Sequence, residues 1–180
     1  MPLDFDSARL HNPFLTPEHE AWRSQLRRFF DNEVVPHAAD WDEQGSIPES
    51  LYKKAAEIGL LGLGYSEELG GSSEGIDIWY HNIVNEELAR IGVGGVGANL
   101  MVHNIGLPPV ANFASDAIKR EVVPAVLSGD KRISLAITEP GAGSDVANLT
   151  TSARRDGDSF VVNGCLLYTS PSPRDARKYL

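Results

Sequence analysis

Cysteine, long apolar runs and basic residues are all scarce in this 180-residue sequence. Its single cysteine, Cys165, can form neither an internal disulfide nor a cysteine-based zinc cluster. No stretch approaches the roughly 20 consecutive apolar residues that a transmembrane helix needs. Lysine and arginine total 16 against 25 aspartates and glutamates, for a net charge of −9, whereas nucleic-acid binding requires clustered positive charge. We therefore expect neither a membrane span nor a nucleic-acid partner.

Two further absences concern targeting and metals. The N-terminal segment MPLDFDSARL contains two aspartates and no apolar core, so we expect no signal or transit peptide and a cytoplasmic protein. The five histidines show no i, i+4 pairing, and we expect no metal site. Hydrophobic residues nevertheless make up 42% of the chain, which is enough to build a folded core.

Apolar periodicity predicts helices through the first two thirds of the chain. Thr16 and Pro17 suit the N-cap and the first position of a helix. The segment Ser46–Glu49 is typical of a capping box, and Gly59 would end the helix that follows it. Pro124 is expected to kink or end a later helix, because proline lacks an amide hydrogen. The remaining predicted helices cover residues 78–91, 96–104 and 115–127.

The pattern changes to that of β-structure after residue 128. Residues 132–138 alternate between polar or small and larger apolar side chains and are rich in isoleucine and leucine, which predicts a strand. Two shorter strands are predicted at 149–154 and 159–162, joined by a hairpin turn. Closely spaced prolines near the C-terminus prevent both helix and ladder pairing, so we expect disorder there. The predicted organisation is an N-terminal extension (1–14), an α-helical domain (15–128), the start of a β domain (129–164) and the disordered tail (165–180).

Two glycine-rich segments are candidates for binding a cofactor. Residues 92–97 match the spacing G-x-G-x-x-G, but a predicted helix precedes them where a dinucleotide site requires a strand. We interpret them as a connection between helices. Residues 136–145 instead follow a predicted strand, and a glycine turn there can present backbone N–H groups and the hydroxyls of Thr138 and Ser144. From the residues alone, a plain β-turn remains the alternative.

The second segment, Ala-Ile-Thr-Glu-Pro-Gly-Ala-Gly-Ser-Asp, resembles the signature of the acyl-CoA dehydrogenase family. Similar stretches are Gly59–Ser72, Glu86–Arg90 and Pro124–Pro140, and the resemblance runs from about residue 15 to residue 164. It implies a mainly α N-terminal helical domain followed by the first strands of an incomplete β-barrel domain. Whole members of the family add a C-terminal four-helix bundle, bind FAD between the barrel and the bundle, and form homotetramers. A fragment alone is not expected to form the tetramer.

The resemblance also implies roles for individual residues. Ser144 would contact acyl-CoA as well as the flavin, and the Thr138 hydroxyl would approach the flavin N5 atom. Glu139 and Asp145 are expected to brace the turn rather than to take part in catalysis. The residues that would contact FAD are Leu135, Ile137, Thr138, Gly143 and Ser144.

The reaction that the resemblance implies is the α,β-dehydrogenation of acyl-CoA thioesters in fatty acid β-oxidation. A glutamate removes the α proton, the β hydrogen passes as hydride to FAD, and an electron-transfer flavoprotein takes up the electrons. That glutamate belongs to the C-terminal bundle, so no catalytic base and no turnover are expected from this chain alone. After Gly164 the sequence leaves the family pattern, which suggests a frameshift, a chimeric join or a truncated gene model.

Two other interpretations remain open. An acyl-CoA oxidase or a flavin monooxygenase on the same scaffold would pass the electrons to oxygen. A non-catalytic helical interaction module built from residues 15–127 would need no flavin at all. The turn that ends at Ser144 favours the flavoenzymes over the interaction module.

Overall fold

The computed structural model describes residues 2, 3, 6 and 11–168. The chain divides into two compact units, residues 1–133 and residues 134–180. The disorder predicted for the tail falls, from residue 169 onward, outside the described residues. Among the described helices, none is long and apolar enough to cross a lipid bilayer.

The first unit is helical, as predicted. The helix predicted at residues 78–91 has those limits, since the Asp77 carboxylate caps its first turn and Gly92 ends it at a φ of 77°. A short 3₁₀ helix, Glu67–Leu69, lies in the loop before it. The helices in the described part of this unit are α1 (Pro17–Glu33), α2 (Ala38–Gln44), α3 (Glu49–Glu57), α4 (Ile78–Ile91), α5 (Gly94–Leu100), α6 (His103–Phe113) and α7 (Asp116–Leu127).

A buried histidine joins the starts of α1 and α4. The Thr16 hydroxyl caps α1, and His19 Nδ1 accepts a hydrogen bond from the Thr16 amide at 3.0 Å, which completes a capping box. His19 Nε2 lies 3.0 Å from Asp77 Oδ1, the same oxygen that accepts from the Trp79 amide. The helix start predicted at Thr16 is therefore confirmed, and its cap is tied to that of α4.

Two clusters of buried side chains stabilise the first unit. The larger contains Leu26 and Phe30 of α1 together with Ile83 of α4. The smaller joins α6 to α7 through Leu107 and Val123, whose side chains are fully buried. Burying one side chain of this size contributes about 1.5 to 3 kcal/mol, so these clusters decide how the helices pack.

An ion-pair network crosses the interface between α1 and α4. Glu87 of α4 is only 1% exposed, and its carboxylate accepts hydrogen bonds from Arg27 at 2.7 Å and from Arg90 at 3.0 Å. The Arg23 guanidinium lies 3.5 Å away. Burial alone would raise the pKa of Glu87, but Arg27 and Arg90 hold that pKa below its usual range. Glu87 is therefore a buried anion surrounded by three cations.

Two predictions about helix ends are wrong, and a third is wrong in one of its two alternatives. The capping box at Ser46–Glu49 does not form, because Pro48 is the N-cap of α3 and makes no side-chain cap hydrogen bond. The helix predicted at 96–104 is two helices, since α5 ends at Leu100 and α6 begins at His103. Of the kink or early end expected at Pro124, the early end does not occur, because α7 continues to Leu127.

Packing explains why the prolines are tolerated. Helix α6 contains Pro108 and Pro109, and each removes one backbone hydrogen bond from the helix. The adjacent Leu107 is nevertheless fully buried, as is Val123 beside Pro124. Burial of these side chains offsets the hydrogen bonds that the prolines remove, and local propensity does not decide the helix limits.

The second unit contains short antiparallel strands. Its hairpin pairs β2 (Ser152–Asp156) with β3 (Ser159–Asn163) around Gly157, at a φ of 61°, which confirms the predicted hairpin. The first strand is shorter than the predicted 132–138: β1 spans Ala136–Thr138 and pairs with β4 (Leu167–Tyr168). Within the described residues these strands form two separate two-stranded sheets, in keeping with the predicted start of a β domain.

Candidate functional site

The candidate site of the second unit is the turn that follows β1. The backbone N–H groups of Glu139 and Ala142 bond to each other's carbonyl oxygens at 2.9 and 3.1 Å, which closes a tight turn over Pro140 and Gly141. Glu139 and Ala142 are buried, whereas Gly143 and Ser144 are exposed. The amide of Ala142 is therefore used inside the turn, and the amides that can meet a ligand lie after it.

Glu139 fastens this turn to the following segment. Its carboxylate accepts hydrogen bonds from the Thr150 amide at 2.9 Å, the Thr150 hydroxyl at 2.7 Å and the Thr151 amide at 2.7 Å. Hydrogen bonds from Thr151 and Thr150 lower the pKa of Glu139 to about 2. The prediction that Glu139 braces the turn is confirmed. Nothing in the sequence indicated which residues it would bind, because they lie beyond a separate 3₁₀ helix at Val146–Asn148.

The five residues predicted to contact FAD lie in or directly beside β1 and the turn that follows it. Ile137 and Thr138 are half-buried on β1, whose pairing with β4 has a register irregularity between Ala136 and Thr138. The hydroxyls of Thr138 and Ser144 make no hydrogen bond with any described residue, so both are available to a ligand. Leu135 directly precedes the strand, and Gly143 stands beside Ser144 on the exposed side of the turn.

The glycines of the turn leave its surface open. A Cβ atom placed on Gly141 or Gly143 would meet no other atom within 4 Å. Neither glycine has a positive φ, so the fold of the described chain requires glycine at neither position. A planar ring could approach this backbone closely without a steric clash.

A second candidate site is a cleft of about 540 Å³ in the first unit. One wall is the loop between α3 and α4, and the other walls are His81 of α4 and one face of α6. The residues that line this cleft are Leu63, Gly64, Tyr65, Ser66, Leu69, His81, Asn104, Pro108, Ala111 and Asn112. The sequence patterns did not predict this site, although the glycines of the loop were a signal for an unusual backbone conformation.

The loop wall of the cleft is held rigidly. Gly64 and Ser72 are joined by a 2.7 Å backbone hydrogen bond, and Glu67 accepts from the Ser73 amide at 2.7 Å and the Glu74 amide at 2.8 Å. These hydrogen bonds lower the pKa of Glu67 to about 2. A Cβ on Gly71 would lie 2.3 Å from the Tyr65 carbonyl oxygen, so the backbone at Gly71 packs directly against Tyr65.

Comparison with known proteins identifies the class of this chain. The family model "Acyl-CoA dehydrogenase, N-terminal domain" matches residues 16–130. The chain belongs to the acyl-CoA dehydrogenase family, as the sequence resemblance predicted.

Individual relatives are similar over most of the chain. A curated long-chain specific acyl-CoA dehydrogenase, mitochondrial, from Sus scrofa is 36% identical over 151 residues, which are 84% of this chain and 34% of that protein. A probable acyl-CoA dehydrogenase from Mycobacterium abscessus is 46% identical with a TM-score of 0.77, over 83% of this chain and 39% of that structure. An acyl-CoA dehydrogenase from Bacillus anthracis complexed with FAD is 29% identical with a TM-score of 0.71, over 86% and 27% of the two chains. The chain thus spans about a third of the length of its curated relative.

Proposed function

We propose that this chain is part of an FAD-dependent acyl-CoA dehydrogenase that introduces a double bond between the α and β carbons of an acyl-CoA thioester. The observation that carries the proposal is the turn after β1. Glu139, which braces the turn, is buried, whereas Gly143 and Ser144 are exposed, and a Cβ atom on Gly143 would meet no other atom within 4 Å. A backbone that is held on one side and open on the other suits a planar cofactor.

The residues of the strand and turn fit such a cofactor. We propose that Leu135 and Ile137 line the ring, that the Thr138 hydroxyl donates a hydrogen bond to it, and that Gly143 allows its close approach. Ser144 would then donate to either the cofactor or the thioester. FAD, when bound, supplies the electron acceptor for the dehydrogenation.

Glu139 is not the general base of this reaction. A general base works best when its pKa lies near the operating pH, and hydrogen bonds from Thr151 and Thr150 lower the pKa of Glu139 to about 2. Both of its oxygens are also occupied by those donors. We propose that the α proton is taken by a carboxylate outside these 180 residues, and that the 180 residues alone are inactive.

The remaining features of the proposal come from the family. We propose an acyl-CoA thioester as substrate, an electron-transfer flavoprotein as the electron acceptor, fatty acid β-oxidation as the process and a homotetramer as the whole assembly. A cytoplasmic location stays a prediction from the acidic N-terminal residues, and the curated relative described above is mitochondrial by name.

A chimera tests the proposal. Residues 16–164 of this chain replace the matching segment of the M. abscessus relative, and the purified protein is examined for flavin absorption and for bleaching by acyl-CoA without oxygen. We expect bound flavin, bleaching, and slow reoxidation in air. Thr138→Val and Ser144→Ala should weaken flavin retention, whereas Ser152→Ala, at an exposed position of β2, should not.

Each other outcome has a defined meaning. A folded chimera without flavin contradicts the proposal and favours a non-catalytic helical module. Rapid reoxidation by oxygen identifies an oxidase, and flavin that no acyl-CoA bleaches points to a monooxygenase.

A further inference from the structure

We propose that Asn163 is a site of spontaneous chemical modification, at which the side-chain amide is lost and the residue becomes aspartate or isoaspartate. Asn163 is the last residue of β3, and Gly164, which follows it, belongs to no strand. It is the only asparagine of the chain that precedes a glycine. The inference concerns the hairpin of the second unit and does not depend on the proposed function.

The reaction at this site needs only water. The backbone nitrogen of Gly164 forms a bond to Cγ of Asn163 as the bond from Cγ to Nδ2 breaks, and Nδ2 leaves as ammonia with the proton of the Gly164 amide. Water then opens the resulting five-membered imide at either of its carbonyl groups. One opening gives aspartate, and the other gives isoaspartate, in which the main chain passes through Cβ and Cγ. No oxidant or reductant takes part, and the net charge of −9 becomes more negative by one unit.

Both reacting groups are accessible in the structure. Asn163 and Gly164 are exposed, and glycine has no side chain to shield the attacking nitrogen. The Asn163 side chain makes no hydrogen bond with any described residue, and the Gly164 amide donates none within the same part of the chain. No hydrogen bond of these two groups therefore has to break before the ring closes.

The position at a strand end allows the backbone to rotate for ring closure. Asn163 pairs with Ser152 at the open end of the hairpin, at the opposite end from the turn at Gly157. Every residue of β2 and β3 is exposed, and a two-stranded hairpin of this kind is only marginally stable. Terminal pairs open at a free-energy cost close to zero, so the rotation disturbs the last pair alone.

The eight other asparagines lack these conditions. Asn12 precedes a proline, which has no amide hydrogen. The side chain of Asn148 donates to Asp145 at 3.0 Å, and the amide that follows it, at Leu149, donates to the Val146 carbonyl at 3.3 Å. The remaining six lie in helices, where hydrogen bonds of the helix hold the following amide; they are Asn32, Asn82, Asn85, Asn99, Asn104 and Asn112.

The modification has a structural consequence for the turn after β1. Gly164 packs against Thr151 so closely that a Cβ atom on Gly164 would overlap the Thr151 side chain. The Thr151 amide in turn donates to Glu139 at 2.7 Å. Isoaspartate makes the main chain one atom longer before Gly164 and must displace it from Thr151, whereas aspartate leaves the main chain unchanged. Only the isoaspartate form should therefore weaken the bond between Thr151 and Glu139.

Incubation of the 180-residue chain in mildly alkaline buffer tests the inference. Samples taken over time are digested and analysed by mass spectrometry, and isoaspartate is measured by methyl transfer from S-adenosylmethionine with an isoaspartyl methyltransferase. A synthetic peptide of residues 160–166 is followed in parallel. We expect both products at Asn163, at a rate no more than about tenfold below that of the peptide, because fraying of the strand end costs so little. Conversion at Asn148, which serves as the internal control, should be much slower.

Two variants separate the chemistry from its structural effect. Asn163→Gln keeps an amide but would have to close a six-membered ring, which is slower, so its mass should stay constant over the same period. Asn163→Asp carries the charge of the product without the longer main chain, and the exchange protection of its Thr151 amide, measured by NMR, should equal that of the unmodified chain. The isolated isoaspartate form should lose this protection. A rate more than tenfold below that of the peptide, or equal conversion at Asn148, overturns the assignment of the site, and equal protection of Thr151 in the isoaspartate and Asn163→Asp forms overturns the link to Glu139.

Discussion

Removal of the Glu87 charge should destabilise the helical unit more than any other single charge change in the network. Glu87→Gln keeps the size of the side chain but leaves Arg23 and Arg90 buried, at 5% and 8% exposure, around a neutral amide. Arg23 retains two carboxylates at the rim, Glu20 and Glu86, and Arg90 retains one, Asp31. Removing one partner of a buried pair costs about 3 to 5 kcal/mol, and with these rim partners we expect about 3 kcal/mol.

The matched control is Glu86→Gln, which changes the net charge equally. The Glu86 side chain is 51% exposed, and an exposed ion pair contributes at most about 1 kcal/mol. Thermal unfolding of the 180-residue chain, followed by far-ultraviolet circular dichroism, should show a midpoint lower by about 6 to 12 °C for Glu87→Gln and a much smaller change for Glu86→Gln. Equal losses in the two variants would refute the account of Glu87 as a buried, triply paired anion.

Two further predictions concern the cap of α1 and the acid response. Thr16→Ala should cost about 1 kcal/mol of unfolding free energy, measured by urea denaturation, and no loss would show that His19 alone holds the start of α1. The pKa of Glu139 is lowered from 4.5 to about 2, so its contribution to stability is complete above about pH 4.5 and disappears as the pH falls toward 2. The protection of the Thr150 and Thr151 amides, measured as the exchange rate relative to the intrinsic rate at each pH, should therefore fall over that interval in the wild-type chain, and Glu139→Gln should abolish this change in protection. A wild-type profile that is flat between pH 5 and pH 2 would contradict the brace.

Local signals predicted those helices whose ends carry their own caps. Thr16 caps the first turn of α1, Asp77 caps the first turn of α4, and Gly92 ends α4. Each acts through groups within a few residues, so apolar periodicity and caps agree for α1 and α4. Helix α6 has no such signals: no side chain caps it and two prolines interrupt it. Its existence depends on burial of Leu107 against α7, which only the folded chain shows.

The same division applies to the candidate sites. The turn and the bracing role of Glu139 follow from a short contiguous motif, so the sequence was sufficient to predict them, but it predicted neither the limits of β1 nor the partners of Glu139. The cleft of the first unit combines a loop, one residue of α4 and one face of α6. No sequence spacing indicated that Tyr65, His81 and Asn112 would meet, because the contacts depend on how three elements pack.

Alanine substitutions at Gly71 and Gly143 separate a structural role of glycine from a proposed functional one. At Gly71 a Cβ would lie 2.3 Å from the Tyr65 carbonyl oxygen, so Gly71→Ala must displace backbone and should lower the stability of the helical unit. At Gly143 a Cβ meets nothing and φ is not positive, so Gly143→Ala should leave the 180-residue chain as stable as before or about 0.4 to 1 kcal/mol more stable. In the chimera, however, Gly143→Ala should reduce flavin retention, because the added methyl occupies the surface that the ring is proposed to approach. Full flavin retention in that variant would mean that the open backbone after the turn has no part in binding the cofactor.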